Sequence, residues 1–134
     1  MPINTDRTRL PDRSDLTWLF FKTSGRVSRA AYFLGQLLLS IIQAYPVYRA
    51  TLLPQGSQES DIWWFFSAVV ILGTLWPMIV LAIKRLHDLD RPGAIVLVLF
   101  VPVISIIAFI VLCLFPGQAG ANRYGRYTNA SAEQ

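Results

Sequence analysis

The fold is decided by the stretch IWWFFSAVVILGTLWPMIVLAI, residues 62–83, which contains no charged side chain. At about 1.5 Å per residue, an α-helix of this length spans roughly 30 Å, the thickness of the hydrocarbon core of a bilayer. A buried helix of a soluble domain rarely carries so long an apolar run. The stretch therefore predicts a transmembrane helix.

Two further stretches, residues 30–48 and 92–122, also contain no charged side chain. Both are long enough to cross a bilayer once. We therefore predict an all-α fold, that of a small polytopic membrane protein with three transmembrane helices. Ser28 is the expected N-cap of the first helix, and Ser60 or Asp61 that of the second. The predicted spans cover about residues 29–48, 62–84 and 93–115.

A shorter apolar pattern precedes the first span. Over residues 15–24, Leu16, Leu19 and Phe20 fall on one face of a helix that is too short to cross a membrane. A short interfacial amphipathic helix in the headgroup layer fits this pattern. A loop folded against the helices is the alternative.

Composition limits the class of protein. The 134 residues are 54% hydrophobic and 15% charged, whereas soluble domains carry about 25% charged residues. A water-soluble globule is therefore excluded. We divide the chain into a polar N-terminal leader (1–14), a single membrane domain (15–126) and a flexible C-terminal tail (127–134).

Basic residues predict the orientation in the membrane. With three full spans, the N-terminal segment and the second loop share one side, which carries nine Lys and Arg against three on the other. By the positive-inside rule that side is cytoplasmic, so the chain is multi-pass with a cytoplasmic N-terminus. If residues 92–116 instead form a re-entrant hairpin bent at Pro102, the C-terminus returns to the same side. The count then becomes eleven against one.

Polar residues recur within the first two spans. Polar side chains in lipid are costly and usually face other helices. We interpret them as interhelical hydrogen-bonding groups, with a substrate path as the alternative. They are Tyr32, Gln36, Ser40 and Gln43 on one face of the first helix, and Ser67 and Thr74 on the second.

The second loop, KRLHDLDRPG over residues 84–93, is the densest polar segment. A histidine beside carboxylates can act as a general base or a metal ligand. One histidine with Asp88 and Asp90 nevertheless makes no recognised metal-binding pattern. We interpret the loop as a basic cytoplasmic segment that is hydrogen-bonded to its neighbours. The alternatives are a headgroup or phosphate site at Arg85 and Arg91, and catalysis.

Four motifs in this order and spacing resemble a known family, the YhaH-like small bacterial inner-membrane proteins, which form domain-of-unknown-function family 805. The resemblance covers about residues 16–126. It implies a protein of the bacterial inner (plasma) membrane with no established activity and no assigned catalytic residues. The motifs are GRVSR (25–29), RLHD (85–88), PVI (102–104) and PGQAGANRYG (116–125).

The polar motif positions are the candidate binding residues. If they form one site, the re-entrant hairpin must be right, because three full spans place NRYG opposite the other motifs. The candidates are Arg26, Ser28, Arg29, Arg85, His87, Asp88, Asn122, Arg123 and Tyr124.

Two functions remain open. The first is a non-enzymatic accessory, regulatory or scaffold protein that acts through helix–helix contacts, because the short loops leave little room for a catalytic domain. The second is a ligand-binding or transport component that recognises an anionic lipid headgroup or phosphate at the cytoplasmic arginine and histidine residues. The expected partners are the lipid bilayer, other membrane proteins or a second copy of the chain, and anionic lipid. No cofactor, metal or nucleic acid is expected.

Overall fold

The computed structural model describes residues 13–130, with side chains from residue 15 onward, so most of the predicted leader lies outside the described residues. Within this range the regular structure is helical, apart from two isolated β-bridges, which confirms the all-α prediction. The elements are α1 (Arg13–Phe21), α2 (Arg29–Thr51), α3 (Gln58–Asp88), a 3₁₀ helix (Gly93–Phe100) and α4 (Pro102–Leu114).

Helices α2 and α3 are long and apolar enough to cross a membrane. Ser28 caps α2 as predicted, because its Oγ accepts a hydrogen bond of 3.2 Å from the Ala31 N–H. Helix α3 begins earlier than predicted, and its N-cap is Ser57 rather than Ser60 or Asp61. Gly56, with φ of +81°, turns the chain just before this cap, a conformation that glycine adopts without strain.

Hydrogen bonds from glutamine side chains of α2 to acceptors on α3 join the two helices. Gln36 Nε2 donates to the Met78 carbonyl oxygen over 3.1 Å, and Gln43 Nε2 donates to Thr74 Oγ1 over 2.6 Å. The interhelical interpretation of the polar face is therefore confirmed for these two glutamines. Ser40 instead bonds within its own helix, since its hydroxyl donates to the Gln36 carbonyl oxygen.

The outward surfaces of the helices are apolar. Large side chains such as Phe65 and Leu72 are 73% and 70% exposed, and Val103 on α4 is 71% exposed. Contiguous apolar surface of this extent is unusual on a soluble monomer and is expected where lipid or another protein covers it.

The predicted third span, 93–115, is not one helix but two short ones, so the prediction of three transmembrane helices is not confirmed. The 3₁₀ helix has eight residues and α4 has thirteen. At about 2.0 and 1.5 Å per residue these arms are roughly 16 and 20 Å long, too short to cross a hydrocarbon core of roughly 30 Å. The break has a local cause: Pro102 lacks an N–H and disfavours the helical conformation at Val101, which is extended.

Both ends of this segment lie at the C-terminal end of α3. A Cβ on Gly93 would be 2.9 Å from Ile83 Cγ2, and a Cβ on Gly117 would overlap the Asp88 carboxylate. The Gln118 N–H also donates to the Asp88 carbonyl oxygen over 2.9 Å. The chain therefore leaves the end of α3 and returns to it. We call residues 93–114 the hairpin; it corresponds to the re-entrant alternative bent at Pro102.

Helix α1 packs against the same end of α3. Trp18, Leu19 and Phe20 are partly buried against the core, while Leu16 is exposed. Lys84 Nζ lies 3.8 Å from the centroid of the Trp18 ring and donates to the Leu19 carbonyl oxygen over 3.0 Å. The predicted short helix is present as α1, and Lys84 of α3 binds the C-terminal end of α1.

Candidate functional site

Two buried arginines and one aspartate meet where α3 ends. Arg85 and Asp88 lie three residues apart on one face of the last turn of α3, and Arg26 comes from the turn between α1 and α2. Gly25, with φ of +95°, makes that turn possible. We call Arg26, Arg85 and Asp88 the arginine–aspartate cluster.

The carboxylate of Asp88 binds both guanidinium groups. Its Oδ1 lies 2.9 Å from Arg26 Nη2 and 3.0 Å from Arg26 Nε, while its Oδ2 accepts from Arg85 Nη1. Thr128 Oγ1 also donates to Oδ1, over 2.9 Å. All three cluster side chains are almost completely buried. Charges removed from water in this way are tolerated only when they are paired and hydrogen-bonded.

The remaining donors of Arg26 bind the chain that follows α4. Arg26 Nη1 donates to the Gly120 carbonyl oxygen over 2.7 Å and reaches the Gly125 carbonyl oxygen at 3.4 Å. Arg26 Nη2 donates to the Gln118 carbonyl oxygen over 2.6 Å. Together with the hydrogen bond and the ion pair to Asp88, every nitrogen of this guanidinium has at least one acceptor within the protein.

Arg85 binds the C-terminal end of α4. Its Nε donates to the Leu112 carbonyl oxygen over 2.8 Å, and its Nη2 donates to the Phe115 carbonyl oxygen. The last carbonyls of a helix have no partner within the helix and carry partial negative charge, so a cation is favourable there. The cluster therefore ties α4 to α3 and to the turn before α2.

His87 lies in the last turn of α3, beyond the uncharged stretch 62–83. Its ring stacks on Tyr124 with the centroids 3.9 Å apart and the planes 3° from parallel, and its Nδ1 lies 3.3 Å from the Gly25 carbonyl oxygen. Asn122 Nδ2 donates to the His87 carbonyl oxygen over 2.8 Å. Burial lowers the pKa of His87, and the contact with Gly25 offsets part of that shift. These contacts hold NRYG against RLHD.

The beginning of the predicted flexible tail is bound to the same site. Asn129 N–H donates to the Arg26 carbonyl oxygen over 2.8 Å, and Asn129 Oδ1 accepts from the Ser28 N–H over 2.8 Å. Residues 127–130 thus contact the turn before α2, and the flexibility of the tail from residue 127 stays a prediction. The last four residues, 131–134, lie outside the described range.

The nine candidate residues all come to one end of the helices, although the sequence separates them by up to about one hundred positions. They do not share one environment. Arg29 and Arg123 are exposed; Arg29 Nη1 is 3.5 Å from the Leu114 carbonyl oxygen, and Arg123 Nε pairs with Asp90 Oδ1 at 3.2 Å. The buried members hold the fold, while the exposed arginines lie on its surface.

Sequence reasoning missed several members of the site. In the sequence Gly117 is marked only as part of the motif PGQAGANRYG, although its missing side chain makes room for Asp88. Thr128 and Asn129 belong to no motif, and their contacts depend on the return of the chain through the hairpin. The carbonyl acceptors of Gln118 and Gly120 are backbone groups, which no residue pattern marks.

The arrangement is suited to holding chain segments together. A phosphate that reached Arg26 or Arg85 would have to displace the Asp88 carboxylate or backbone carbonyls that already accept from them. Among residues 13–130, no group of three or more His, Cys, Asp or Glu side chains is placed so that it could hold a metal ion.

Two apolar helices, a broken third segment and a polar cluster that closes one end define a small helical membrane protein. The sequence matches the family described as "Protein of unknown function (DUF805)" over residues 20–126. The chain belongs to this family, as the four motifs predict.

Two curated relatives carry the name inner membrane protein YhaI. The protein of Escherichia coli strain K12 is 36% identical over 102 residues, which cover 76% of this chain and 81% of the relative. The protein of Escherichia coli O157:H7 matches to the same extent. No solved structure matches the chain.

Proposed function

We propose that this protein is an accessory or scaffold protein of the bacterial inner membrane, without enzymatic activity, which acts through contacts between its helices and those of a partner. The observation that carries the proposal is a stripe of large exposed side chains on one face of α3. They repeat at spacings of four, three and four residues, which places them on one side of the helix. The stripe consists of Phe65, Val69, Leu72 and Trp76.

Gly73 lies beside this stripe and leaves space for a neighbouring helix. A Cβ built on Gly73 would have no atom of the described chain within 4 Å. In membranes, helices associate mainly by close packing, and small residues let two backbones approach each other. A face that combines large apolar side chains with a glycine is therefore suited to binding another transmembrane helix.

For the topology we propose two membrane-crossing helices, α2 and α3, with the hairpin entering and leaving the bilayer from the cytoplasmic side. This arrangement places eleven of the twelve Lys and Arg on one side and only Arg49 on the other. Such an asymmetry strongly favours the cytoplasm for the side that carries both termini. Val96 and Leu112 of the hairpin are buried in the core that α2 and α3 also form, and this contact supports the arrangement, since bent segments in a membrane need protein neighbours.

Within this proposal the arginine–aspartate cluster positions the hairpin and the C-terminal segment. Its donors are satisfied by the protein itself, and this favours a structural role over ligand recognition at Arg26 and Arg85. The groups that remain available for interaction are the apolar helix faces in the membrane and the exposed basic residues at its surface.

The helix contact can be tested by site-specific photocrosslinking in bacterial membranes. A photoreactive phenylalanine analogue placed at position 72 is expected to give an adduct of discrete mass with a protein. Gly73→Leu is expected to abolish this adduct, because its side chain fills the space through which a partner approaches, whereas a Cβ at this position meets no atom of the described residues within 4 Å.

Ala44→Leu is the matched control, since Ala44 is exposed on α2 and is also small. It should leave the adduct unchanged. An adduct of twice the chain mass would identify the partner as a second copy. Adducts with lipid alone, or equal loss in both variants, would contradict the proposal.

A further inference from the structure

The two arms of the hairpin and the end of α3 line a partly open cavity of about 490 Å³. Its volume lies within the range of small-molecule sites in proteins, which is about 300–1,000 Å³. Nine of the ten residues that line it are apolar, and Arg91 is the one charged residue among them. Ile95 and Val98 face it from the 3₁₀ helix, and Ala108, Val111 and Phe115 from α4 and its end.

Arg91 differs from Arg26, Arg85 and Arg123, whose guanidinium groups all have partners within the protein. Arg26 and Arg85 are buried with acceptors within the protein, and Arg123 is paired with Asp90. Arg91 is exposed, and its backbone N–H donates to the Leu86 carbonyl oxygen over 2.9 Å. Within residues 13–130, no side chain or carbonyl accepts a hydrogen bond from its guanidinium. A positive charge with free donors therefore stands at the edge of an apolar cavity.

From this juxtaposition we infer that the cavity binds one anionic phospholipid of the surrounding leaflet, with an acyl chain between the arms of the hairpin and its phosphate at Arg91. An acyl chain matches the apolar lining and needs no hydrogen-bonding partner there. The planar guanidinium binds phosphate through two parallel hydrogen bonds, a geometry that favours arginine over lysine at such sites. The inference is independent of the partner contact proposed for α3.

The position of Arg91 in the chain supports this occupant. Arg91 directly precedes Pro92 and the 3₁₀ helix, so it lies where the hairpin begins. In the proposed topology this is the level of the headgroups, where basic residues next to membrane segments meet anionic lipid. This placement rests on the proposed two-span topology, whereas binding of the lipid itself can be measured without it.

The test is lipid binding by the full-length protein purified in a non-ionic detergent. Phosphatidylglycerol or phosphatidylcholine with the same acyl chains is titrated in, and bound lipids are counted by native mass spectrometry. We expect the protein to bind one phosphatidylglycerol molecule. Phosphatidylglycerol should bind more tightly than phosphatidylcholine. Arg91→Gln should weaken phosphatidylglycerol binding by about tenfold or more, the usual scale for losing a charge-assisted hydrogen bond, and remove the preference.

Arg126→Gln is the matched control, because Arg126 is exposed, carries the same charge and does not line the cavity. It should retain the preference for phosphatidylglycerol. Ala108→Phe, which fills the cavity from α4, should abolish binding of both lipids while circular dichroism shows the helices intact. Equal binding of the two lipids by the unmodified protein, equal losses in the two arginine variants, or unchanged binding in Ala108→Phe would each overturn the inference.

Discussion

Asp88 accepts hydrogen bonds from both buried arginines and from Thr128, so one carboxylate pairs with two guanidinium groups. Removing one partner of a buried ion pair destabilises a protein more than replacing both partners by apolar residues, because the remaining charge stays buried without compensation. In this protein the two charges left behind would also hold the end of α4 and the segment after it.

Asp88→Asn is therefore expected to destabilise the folded protein strongly, by about 3–5 kcal/mol. The amide keeps the size of the side chain but carries no charge and can accept at only one of its two terminal atoms. Thermal unfolding in detergent, followed by the loss of helical circular dichroism, measures the effect as a lowered melting temperature.

Asp90→Asn is the matched control for this substitution. Asp90 pairs with Arg123, whose side chain is 69% exposed. Exposed ion pairs contribute about 1 kcal/mol or less, so this variant should unfold close to the unmodified protein. Equal melting temperatures for the Asp88→Asn variant and the unmodified protein would refute the structural role of the cluster.

The sequence identifies most of the charged residues of the site, but it does not predict whether each of them is buried or exposed. The motifs that contain Arg26, Arg85 and Asp88 stand out as charged groups beside apolar spans. Burial, in contrast, depends on acceptors that lie far along the chain, such as the carbonyl oxygens of Leu112 and Gln118. A local pattern carries no information on such distant backbone groups, so the arginines resemble ordinary basic residues of a cytoplasmic loop.

At the scale of elements, α2 and α3 follow from the sequence because a long uncharged stretch has few alternatives to a membrane helix. The hairpin is harder to predict, because its composition is as apolar as that of a true span. The one local signal is Pro102, and proline also occurs inside α2 and α3 at Pro46 and Pro77 without ending either helix. Contacts with the end of α3, rather than the proline alone, distinguish the hairpin from a kinked span.

Gly117 provides a test of the contact between α3 and the segment that follows α4. A methyl group at this position would overlap the Asp88 carboxylate, so Gly117→Ala should force the segment away from α3. Overpacking of this kind costs about 1–3 kcal/mol. Thermal unfolding should show a lower melting temperature than that of the unmodified protein.

Gly120→Ala is the corresponding control three residues further along. No atom of the residues that the structure describes lies within 4 Å of a Cβ at Gly120, and the carbonyl oxygen that accepts from Arg26 is retained. Its melting temperature should be unchanged. If both alanine variants behave like the unmodified protein, the segment does not pack on α3 as described.

For the whole molecule, the distribution of charge and the path of the chain agree. The hairpin returns the C-terminal segment to the end of α3. The proposed two crossings would place eleven of the twelve Lys and Arg on one side of the membrane. Three full spans would leave a less asymmetric distribution of nine against three. Charge counting alone allowed both topologies, and the contacts of Arg26 and Asp88 with residues 118–130 are what favour two crossings.

The side of the membrane that carries the C-terminus tests this account most directly. Fusions of the full-length chain at its C-terminus to a fluorescent protein, which folds in the cytoplasm, and to alkaline phosphatase, which is active only outside it, report that side in living bacteria. Two crossings with a re-entrant hairpin predict bright fluorescence and no phosphatase activity. An active phosphatase with a dark fluorescent fusion would mean that residues 93–115 cross the membrane, and would contradict the account.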